Sequence, residues 1–298
     1  MRIAVDFCQA LFNLGLKKAA ETVKEAGFDA VDFSFKDKAA HMLLKEGDEQ
    51  NARWVRKIFN EVGLECTQAH APLGFSVEND LDESDEQFDL LLRSFRFAQV
   101  LGAKTIVVHA VTDVKPVDFV AYNLRFYKTL EPYAKELGLK IGVENLYRYD
   151  KRYGTFDGVF AKPGEMADFL QKLKSDVFVA CVDTGHALLC ETAPEEYIAG
   201  LRSAPLGAVH LHDNDGKDDL HLPPYAGVME WDKILEALAE AEYEGDITLE
   251  IMFFLSDHAS DEELPKALSL AARAADDLRW KLEDRKEEVE EADEWDAR

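Results

Sequence analysis

The sequence predicts an α/β protein that folds as a single (β/α)8 TIM barrel, and three observations lead to this prediction. The chain has 298 residues, which suits one large barrel or two ordinary domains. Short β-branched runs alternate with helical stretches along nearly the whole chain. Glycines at positions 27, 63, 102 and 138 close helical stretches just before the next apolar run.

Eight apolar runs are typical of strands, and each precedes a helical stretch. In chain order the strand candidates are Ile3–Phe7, Ala30–Phe35, Glu65–His70, Thr105–His109, Lys140–Glu144, Phe178–Asp183, Ala208–His212 and Ile247–Ile251. The helical candidates are 16–26, 48–62, 84–101, 117–137, 164–174, 194–203, 231–243 and 261 to about 285. Eight such pairs are the barrel pattern, and continuous apolar runs fit parallel strands that are buried on both faces. A doubly wound open sheet is the alternative, but it usually has fewer units and its glycine-rich phosphate loop is missing from the sequence.

The composition divides the chain at one place only. We expect residues 1–280 to form the barrel, since no change in composition interrupts them. Residues 281–298, KLEDRKEEVEEADEWDAR, are strongly acidic and predict a solvated C-terminal helical extension.

Charge and cysteine usage exclude several partner classes. The formal net charge is −25, with 59 acidic and 34 basic residues, so we expect no nucleic acid partner. No apolar stretch is as long as a membrane span, so we expect no membrane partner. The four cysteines, at positions 8, 66, 181 and 190, form no CxxC pair, which predicts reduced thiols in a cytoplasmic protein.

Successive strand candidates end on residues that bind metal ions. These residues are His70, His109, Glu144, Asp183, His212 and Glu250. In a parallel barrel the carboxyl ends of the strands converge on one mouth, where active sites lie. Imidazole and carboxylate are ligands of zinc, manganese and similar ions, and buried carboxylates need such a cation. The sequence therefore predicts a divalent metal site at the mouth.

These residues lie in motifs that resemble a known superfamily. The motifs are HAPLG at 70–74, VVHA at 107–110, VENL at 143–146, CVDTGHALL at 181–189, HLHDNDGKDDLHLPP at 210–224, Gly227 with Trp231, and LEI at 249–251. The chain resembles the xylose isomerase-like barrel superfamily, which includes sugar phosphate isomerases and epimerases and the endonuclease IV type of repair enzyme. The resemblance covers nearly the full length.

The resemblance implies a principal metal and two catalytic glutamates. The implied metal ligands are Glu144, Asp183, His212 and Glu250, with manganese, zinc, cobalt or magnesium as the ion. Glu144 and Glu250 are implied to act as acid and base beside the substrate carbonyl. His210 has its side chain on the same side of the strand as His212 and is expected to pack nearby. The expected substrate-binding residues are His186, His70, His109 and Phe7.

The same resemblance leaves the number of metals open. In the repair enzymes, residues at the positions of His70 and His109 join Glu144 at a second ion. Residues at the positions of His186, Asp219 and His221 hold a third. Here His70 and His109 could equally contact substrate, and Asp219 and His221 could order the loop over the mouth.

We therefore expect a metal-dependent sugar isomerase or epimerase that acts on a small ketose or keto-polyol, in a chain that could form a homodimer or homotetramer. The alternatives are an inosose or dehydroshikimate-type dehydratase, an abasic-site nuclease and a non-catalytic sugar-binding protein. The loop Tyr225-Ala226-Gly227 departs from the family's usual GEG, and only Lys217 stands where the 3-epimerases carry an arginine. Arg148, Lys151 and Arg152 form the best basic group for a phosphate, but they are more typical of a solvated loop.

Overall fold

The computed structural model describes residues 1–36, 38–45, 47–147, 149–150, 155–156 and 158–296. Its eight barrel strands are β1 (Ile3–Asp6), β2 (Ala30–Ser34), β3 (Glu65–His70), β4 (Thr105–Val108), β5 (Lys140–Glu144), β8 (Phe178–Asp183), β9 (Leu206–His210) and β10 (Ile247–Leu249). Two further short strands, β6 (Tyr149–Asp150) and β7 (Thr155–Phe156), form an antiparallel pair after β5. All pairings within the barrel are parallel, in the order β10-β1-β2-β3-β4-β5-β8-β9.

Helices follow the strands and surround them. They are α1 (Cys8–Leu14), α2 (Leu16–Ala26), α3 (Lys38–Lys45), α4 (Asp48–Val62), α5 (Glu86–Leu101), α6 (Phe119–Leu137), α7 (Pro163–Leu173), α8 (Thr184–Leu189), α9 (Pro194–Gly200), α10 (Trp231–Glu240), α11 (Met252–Asp257) and α12 (Leu264–Asp296), with a 3-10 turn at Pro116–Asp118. The short helices α1, α3, α8 and α11 follow strand ends, where the sequence predicted loops. The predicted glycine stops are confirmed: Gly63 and Gly102, for example, end α4 and α5 with φ of 76° and 95°.

The ring closes between β9 and β10 just beyond the end of β9. Leu211 donates its N–H to Thr248 O at 2.9 Å, and its carbonyl accepts the N–H of Glu250 at 3.1 Å. These bonds carry the chain across the last gap between the strands, so the carboxyl ends of all eight strands surround one opening. The predicted (β/α)8 TIM barrel is confirmed.

The core fills the barrel and the layer between strands and helices. Residues of β1, β2 and β4 are buried throughout, as expected for strands covered on both faces. Phe7, Phe33, Phe59 and Phe97 form an aromatic cluster beneath the helices, with ring centres 5.3–5.9 Å apart for the pairs Phe7–Phe59, Phe33–Phe97 and Phe7–Phe33. Burial of such rings is a major source of stability in the layer.

Residues 281–296 of the predicted C-terminal extension belong to helix α12, which begins at Leu264. Leu282 is fully buried and Val289 packs against the core. Arg285 pairs with Asp232 of α10 at 3.0 Å, and the N-terminal ammonium pairs with Glu283 at 3.0 Å. The helix therefore packs on the barrel well past residue 281. None of the helices in the described ranges combines the length and apolarity that a membrane crossing requires.

Candidate functional site

Four buried side chains meet at the mouth of the barrel. Glu144 ends β5, Asp183 ends β8, His210 ends β9, and Glu250 follows Leu249 at the end of β10. One ligand atom from each lies within 4.8 Å of those of the other three. We call these four residues the central group. Three of them, Glu144, Asp183 and Glu250, are the carboxylates that the sequence placed together.

His210 completes the central group, whereas His212, the histidine that the resemblance implied as a metal ligand, forms a neighbouring cluster of possible ligands with His221 and Glu250. His210 Nδ1 lies 3.3 Å from Glu144 Oε1 and 3.3 Å from Glu250 Oε2. His212 instead directs Nε2 to Asp183 Oδ1 at 3.0 Å. β9 ends at His210 and Leu211 continues the parallel pairing to β10, so His210 and His212 both lie at the mouth. His212 then lies over Gly185, where an added Cβ would be 2.0 Å from His212 Cε1.

The surroundings of His210 fit a metal ligand. Its Nε2 faces Asp32 Oδ2 at 3.2 Å, and Gln68 donates to the same oxygen at 2.7 Å. A histidine that donates its outer N–H to a carboxylate is oriented for metal binding through its other nitrogen. That other nitrogen, Nδ1, is buried and makes no hydrogen bond within the described part of the structure. An imidazole lone pair that faces two carboxylate oxygens requires a cation between them, either a proton or a metal ion.

A second group shares Glu144 with the first. His70 Nε2 lies 3.1 Å from His109 Nε2 and 3.4 Å from Glu144 Oε2, and His109 Nε2 lies 3.0 Å from that same oxygen. His70 donates through Nδ1 to Ala71 O at 2.8 Å, so its Nε2 presents a lone pair when the ring is neutral. Burial and the Lys36 ammonium lower the pKa of His70 to about 4, which keeps the ring neutral. These three residues, the His70 group, fit a second ion.

A third group lies on the loops that follow β8 and β9. His186 donates through Nδ1 to Asn145 O at 2.9 Å, and His221 donates through Nδ1 to Glu250 O at 2.7 Å. Both therefore direct Nε2 toward Asp219 Oδ2, at 3.9 Å from His186 and 3.0 Å from His221. The other carboxylate oxygen, Asp219 Oδ1, is buried and accepts no hydrogen bond from the described residues. We call His186, Asp219 and His221 the loop group.

Electrostatics keep the two glutamates ionised. Burial on its own would raise the pKa of Glu144 and of Glu250. The neighbouring cations together outweigh it and lower both pKa values well below their usual range: His210 and His109 foremost at Glu144, and His210 and Lys36 foremost at Glu250. Burial on its own would lower the pKa of His210, but its acidic neighbours, Cys181 and Glu250 foremost, raise it well above its usual value. The three groups thus stabilise one another as ions of opposite charge.

Lys36 is a residue of the site that the sequence analysis did not predict. It follows β2 by two residues, its side chain is only 10% exposed, and its ammonium bonds to Glu250 Oε1. The same ammonium lies 3.5 Å from Asp6 Oδ2 at the end of β1. Asp6 lies inside the first predicted run, Ile3–Phe7, and lysine is not a metal-ligand type, so the pattern that identified the other candidates selects neither residue.

A cavity of about 570 Å³ opens beside these groups. His109, Tyr147 and His186 line it next to the metal-ligand residues. Tyr147 packs on His186 with ring centres 5.0 Å apart. Phe7, an expected substrate contact, lies in the core instead, because its ring packs against Phe33 and Phe59.

The sequence suggested three basic residues as a possible phosphate-binding group. These residues, Arg148, Lys151 and Arg152, lie outside the described residues. Among the described residues that line the 570 Å³ cavity there is no lysine or arginine.

The fold is a TIM barrel with clusters of possible metal ligands at its mouth, and comparison with known proteins gives the family. A family model described as a xylose isomerase-like TIM barrel matches residues 20–273, so the chain belongs to that family and the resemblance noted in the sequence is confirmed. The uncharacterized protein y4fM of Sinorhizobium fredii is 26% identical over 267 residues, which is 80% of this chain and 82% of that protein.

Solved structures share the whole fold at low identity. A D-tagatose 3-epimerase-like protein superposes with a TM-score of 0.71 and 21% identity, covering 97% of this chain and all of that one. A D-psicose 3-epimerase solved in the presence of D-fructose also has a TM-score of 0.71, with 19% identity and coverage of 95% and 99%. At these identities the likeness establishes the fold.

Proposed function

We propose that this chain is a divalent-metal-dependent sugar isomerase or epimerase that moves a proton beside the carbonyl of a small ketose or related keto-polyol. One observation carries the proposal: Glu144 Oε1 and Glu250 Oε2, from β5 and β10, approach His210 Nδ1 to the same 3.3 Å. Two ionised carboxylates from different walls of one mouth can serve the two faces of a substrate carbon. Family membership and the fold shared with sugar epimerases agree with this function.

The central group would hold the metal ion. Three carboxylates and one imidazole suit manganese, zinc, cobalt or magnesium, and the buried lone pair of His210 Nδ1 fits a cation at that point. When bound, the ion supplies polarisation of the carbonyl and hydroxyl oxygens of the substrate and stabilises the enediolate.

Side chains of the protein would transfer the proton and contact the substrate. Glu250 is anchored through Oε1 by Lys36, which leaves Oε2 directed at the centre. Glu144 has Oε1 toward His210 and Oε2 toward the His70 group. Oε1 of Glu144 and Oε2 of Glu250 are therefore the oxygens that face the centre, where the proton would be transferred. His186, which lines the cavity, is placed to contact a substrate oxygen.

Metal analysis combined with deuterium incorporation tests the proposal. The purified protein should contain a first-row divalent metal or magnesium, and in D2O it should exchange deuterium into a member of a panel of ketoses, inosose and keto acids. Glu144→Gln and Glu250→Gln should each slow the exchange by about a hundredfold or more, because each removes one proton-transfer group. Glu136→Gln, on the exposed face of α6, is the matched control and should exchange like the unmodified protein.

Other results would identify the alternatives. Binding of a sugar without exchange would indicate a binding protein. Exchange followed by loss of water would indicate a dehydratase, which begins with the same proton transfer. Absence of both exchange and binding across the panel would overturn the proposal.

The second candidate function is metal-assisted phosphoester hydrolysis at an abasic site. The observation that favours it is the presence of three ligand groups side by side, since His70, His109 and Glu144 form one and His186, Asp219 and His221 another. Three ions per chain together with cleavage of an abasic duplex would establish it. The formal charge of −25 opposes this reading, because it repels the DNA backbone.

A further inference from the structure

Asp32 is a buried carboxylate inside the barrel to which the proposed function assigns no role. It lies within β2 and is only 2% exposed. Its Oδ2 accepts a hydrogen bond from Gln68 Nε2 at 2.7 Å and faces His210 Nε2 at 3.2 Å. Its Oδ1 is buried and accepts no hydrogen bond from the described residues. Because burial of a carboxylate is costly, its presence beneath the mouth requires a reason.

Asp213, in the loop after β9, shows how a carboxylate holds the backbone in this protein. Its Oδ1 accepts the backbone N–H groups of Asn214 and Met229 at 3.0 and 3.1 Å. Its Oδ2 accepts the indole N–H of Trp231 at 2.9 Å, which fastens the loop to the start of α10. Within the described ranges, the carboxylate of Asp32 contacts side-chain donors only. It therefore orients side chains and does not support the path of the backbone.

An irregularity in the sheet places Gln68 beside Asp32. The register of β2 and β3 pairs Val31 with Cys66. The next residue of β2, Asp32, pairs with Gln68, and Thr67 is skipped. An extra residue of this kind re-aims the side chains that follow it, and such bulges are frequent next to active sites. Without the shift, Thr67 would lie opposite Asp32 in place of the amide.

These contacts determine which nitrogen of His210 carries a proton. An ionised carboxylate accepts hydrogen bonds and donates none, so His210 must donate through Nε2 to Asp32. The amide of Gln68 donates to the same oxygen and holds it toward the ring. A neutral ring with its proton on Nε2 has its lone pair on Nδ1. That nitrogen lies 3.3 Å from Glu144 Oε1 and 3.3 Å from Glu250 Oε2, where the ion of the central group would bind.

We propose that Asp32 and Gln68 are positioning residues for the metal ion of the proposed function, on which this inference rests. Asp32 holds the ring of His210 in the tautomer that presents Nδ1 to the ion, and its charge makes that nitrogen a stronger ligand. Gln68 holds Asp32 in turn, from the position that the register shift gives it. Neither side chain lines the 570 Å³ cavity, so both act through His210 and not on the substrate.

Zinc affinity of matched variants tests the inference. Asp32→Leu should weaken zinc binding by about a hundredfold, because the ring loses its acceptor, and Asp32→Asn by about tenfold, because an acceptor oxygen remains without the charge. Gln68→Leu should have a smaller effect than Asp32→Leu, since the carboxylate stays. Asp246→Asn, at the amino end of the barrel, is the control and should bind zinc like the unmodified protein. Competition with a chelator measures all four affinities, and unchanged affinity in both Asp32 variants would overturn the inference.

A spectroscopic measurement distinguishes positioning from a structural role. Long-range proton–nitrogen NMR of the zinc-loaded, histidine-labelled protein shows which ring nitrogen carries the proton, and the spectrum of His210→Gln assigns the signal. The unmodified protein should have the proton of His210 on Nε2 and zinc on Nδ1, and Asp32→Leu at saturating zinc should lose this fixed arrangement. The isosteric Asp32→Asn carries the test if Asp32→Leu does not fold. A proton on Nδ1 in the unmodified protein would contradict the inference.

Deuterium exchange separates this inference from the proposed function. Weakened zinc binding in the Asp32 variants of a protein that exchanges no deuterium into the substrate panel would refute the isomerase and retain the positioning role. Exchange by the unmodified protein, together with full zinc affinity in both Asp32 variants, would refute the positioning role and retain the isomerase. Absence of metal binding to the unmodified protein would overturn both.

Discussion

The two ends of the barrel have cavities of similar volume, but they differ in how their charged side chains are paired. At the carboxyl end the cavity beside the central group holds about 570 Å³. At the amino end a cavity of about 600 Å³ is lined by Arg2, Lys140, Asp246, Thr105 and Thr248, among others. Size therefore does not distinguish the two ends.

Charge balance distinguishes them. At the amino end Arg2 pairs with Asp246 at 3.2 Å and with Glu65 at 3.4 Å, and Lys140 donates to Asp176 O at 2.6 Å. These side chains are partly exposed and already have partners of opposite charge.

At the carboxyl end, five buried carboxylates, those of Asp6, Asp32, Glu144, Asp183 and Glu250, share the mouth with buried histidines and the ammonium of Lys36 within the described ranges. Buried like charges are costly, so we expect the metal ion of the proposed function at the carboxyl end and none at the amino end. The following predictions, from the largest expected effect to the smallest, test this contrast.

Replacing the histidine of the central group should have the largest effect. His210→Gln should weaken the tightest metal site by about a hundredfold or more, because it removes a direct ligand from a set of four. His212→Gln should weaken it by about tenfold, as is typical for a residue that orients a ligand, here Asp183. Competition with a chelator measures both affinities. A larger loss of metal affinity in His212→Gln than in His210→Gln would show that His212 is the direct metal ligand.

Metal affinity should rise with pH, because binding displaces protons. Burial alone would lower the pKa of His186, but Asp183 and Glu144 raise it to about 10, so its ring is an imidazolium at pH 8 in the metal-free protein. A metal ligand must be a neutral imidazole, so each proton released makes the apparent affinity rise about tenfold per pH unit below that pKa. Calorimetry in buffers of different ionisation enthalpy counts the protons. His186→Gln should release one proton fewer; an unchanged count would show that no ion binds at the loop group.

Lys36 should compete with the metal for Glu250. Lys36→Met should raise metal affinity roughly tenfold, since the ammonium no longer repels the ion or occupies Glu250 Oε1. In the absence of metal the same variant should lose about 3 kcal/mol of unfolding free energy, because Glu250 then lacks its buried cation. Denaturant unfolding with and without metal measures both effects, and Lys36→Arg retains the charge as a control. A fall in metal affinity in Lys36→Met would show that Lys36 supports the ion instead.

A change at the amino end should affect stability alone. Asp246→Asn weakens the pair with Arg2, which also donates its backbone N–H to Asp246 at 3.0 Å. The expected cost is about 1 kcal/mol, because the arginine is partly exposed. Thermal unfolding should show a Tm lower by a few degrees, with deuterium exchange into the substrate unchanged. A loss of exchange in this variant would mean that the two ends of the barrel are coupled.

Much of the fold could be predicted from the sequence because the pattern repeats eight times. Each apolar run had a helical stretch behind it, and the strand candidates overlap all eight barrel strands. Errors at the ends were small: the seventh run was expected at Ala208–His212, whereas β9 is Leu206–His210. This shift of two residues is trivial for the fold and decisive for the site.

The candidate site could be predicted less completely. Ligand types after apolar runs identified Glu144, Asp183 and Glu250, since carboxylates that follow buried strands have few structural roles. The histidines His210 and His212 are two residues apart and point the same way in an ideal strand, so the pattern could not choose between them. Asp6 and Asp32 lie inside the predicted runs Ile3–Phe7 and Ala30–Phe35 rather than at their ends, and Lys36 forms its pairs only across strands.

The order of strands, the mouth at which they end and the supply of imidazoles and carboxylates were determined by the sequence alone, because period and residue type are local properties. Which imidazole enters the central group was decided by the tertiary structure, because the distances from His210 Nδ1 to Glu144 and Glu250 depend on how β5, β9 and β10 pack around the mouth. The partnership of Lys36 with Glu250 was decided there too, since it joins residues 214 positions apart that meet only when the ring closes. Distances between strands depend on closure of the barrel, and no local pattern encodes them.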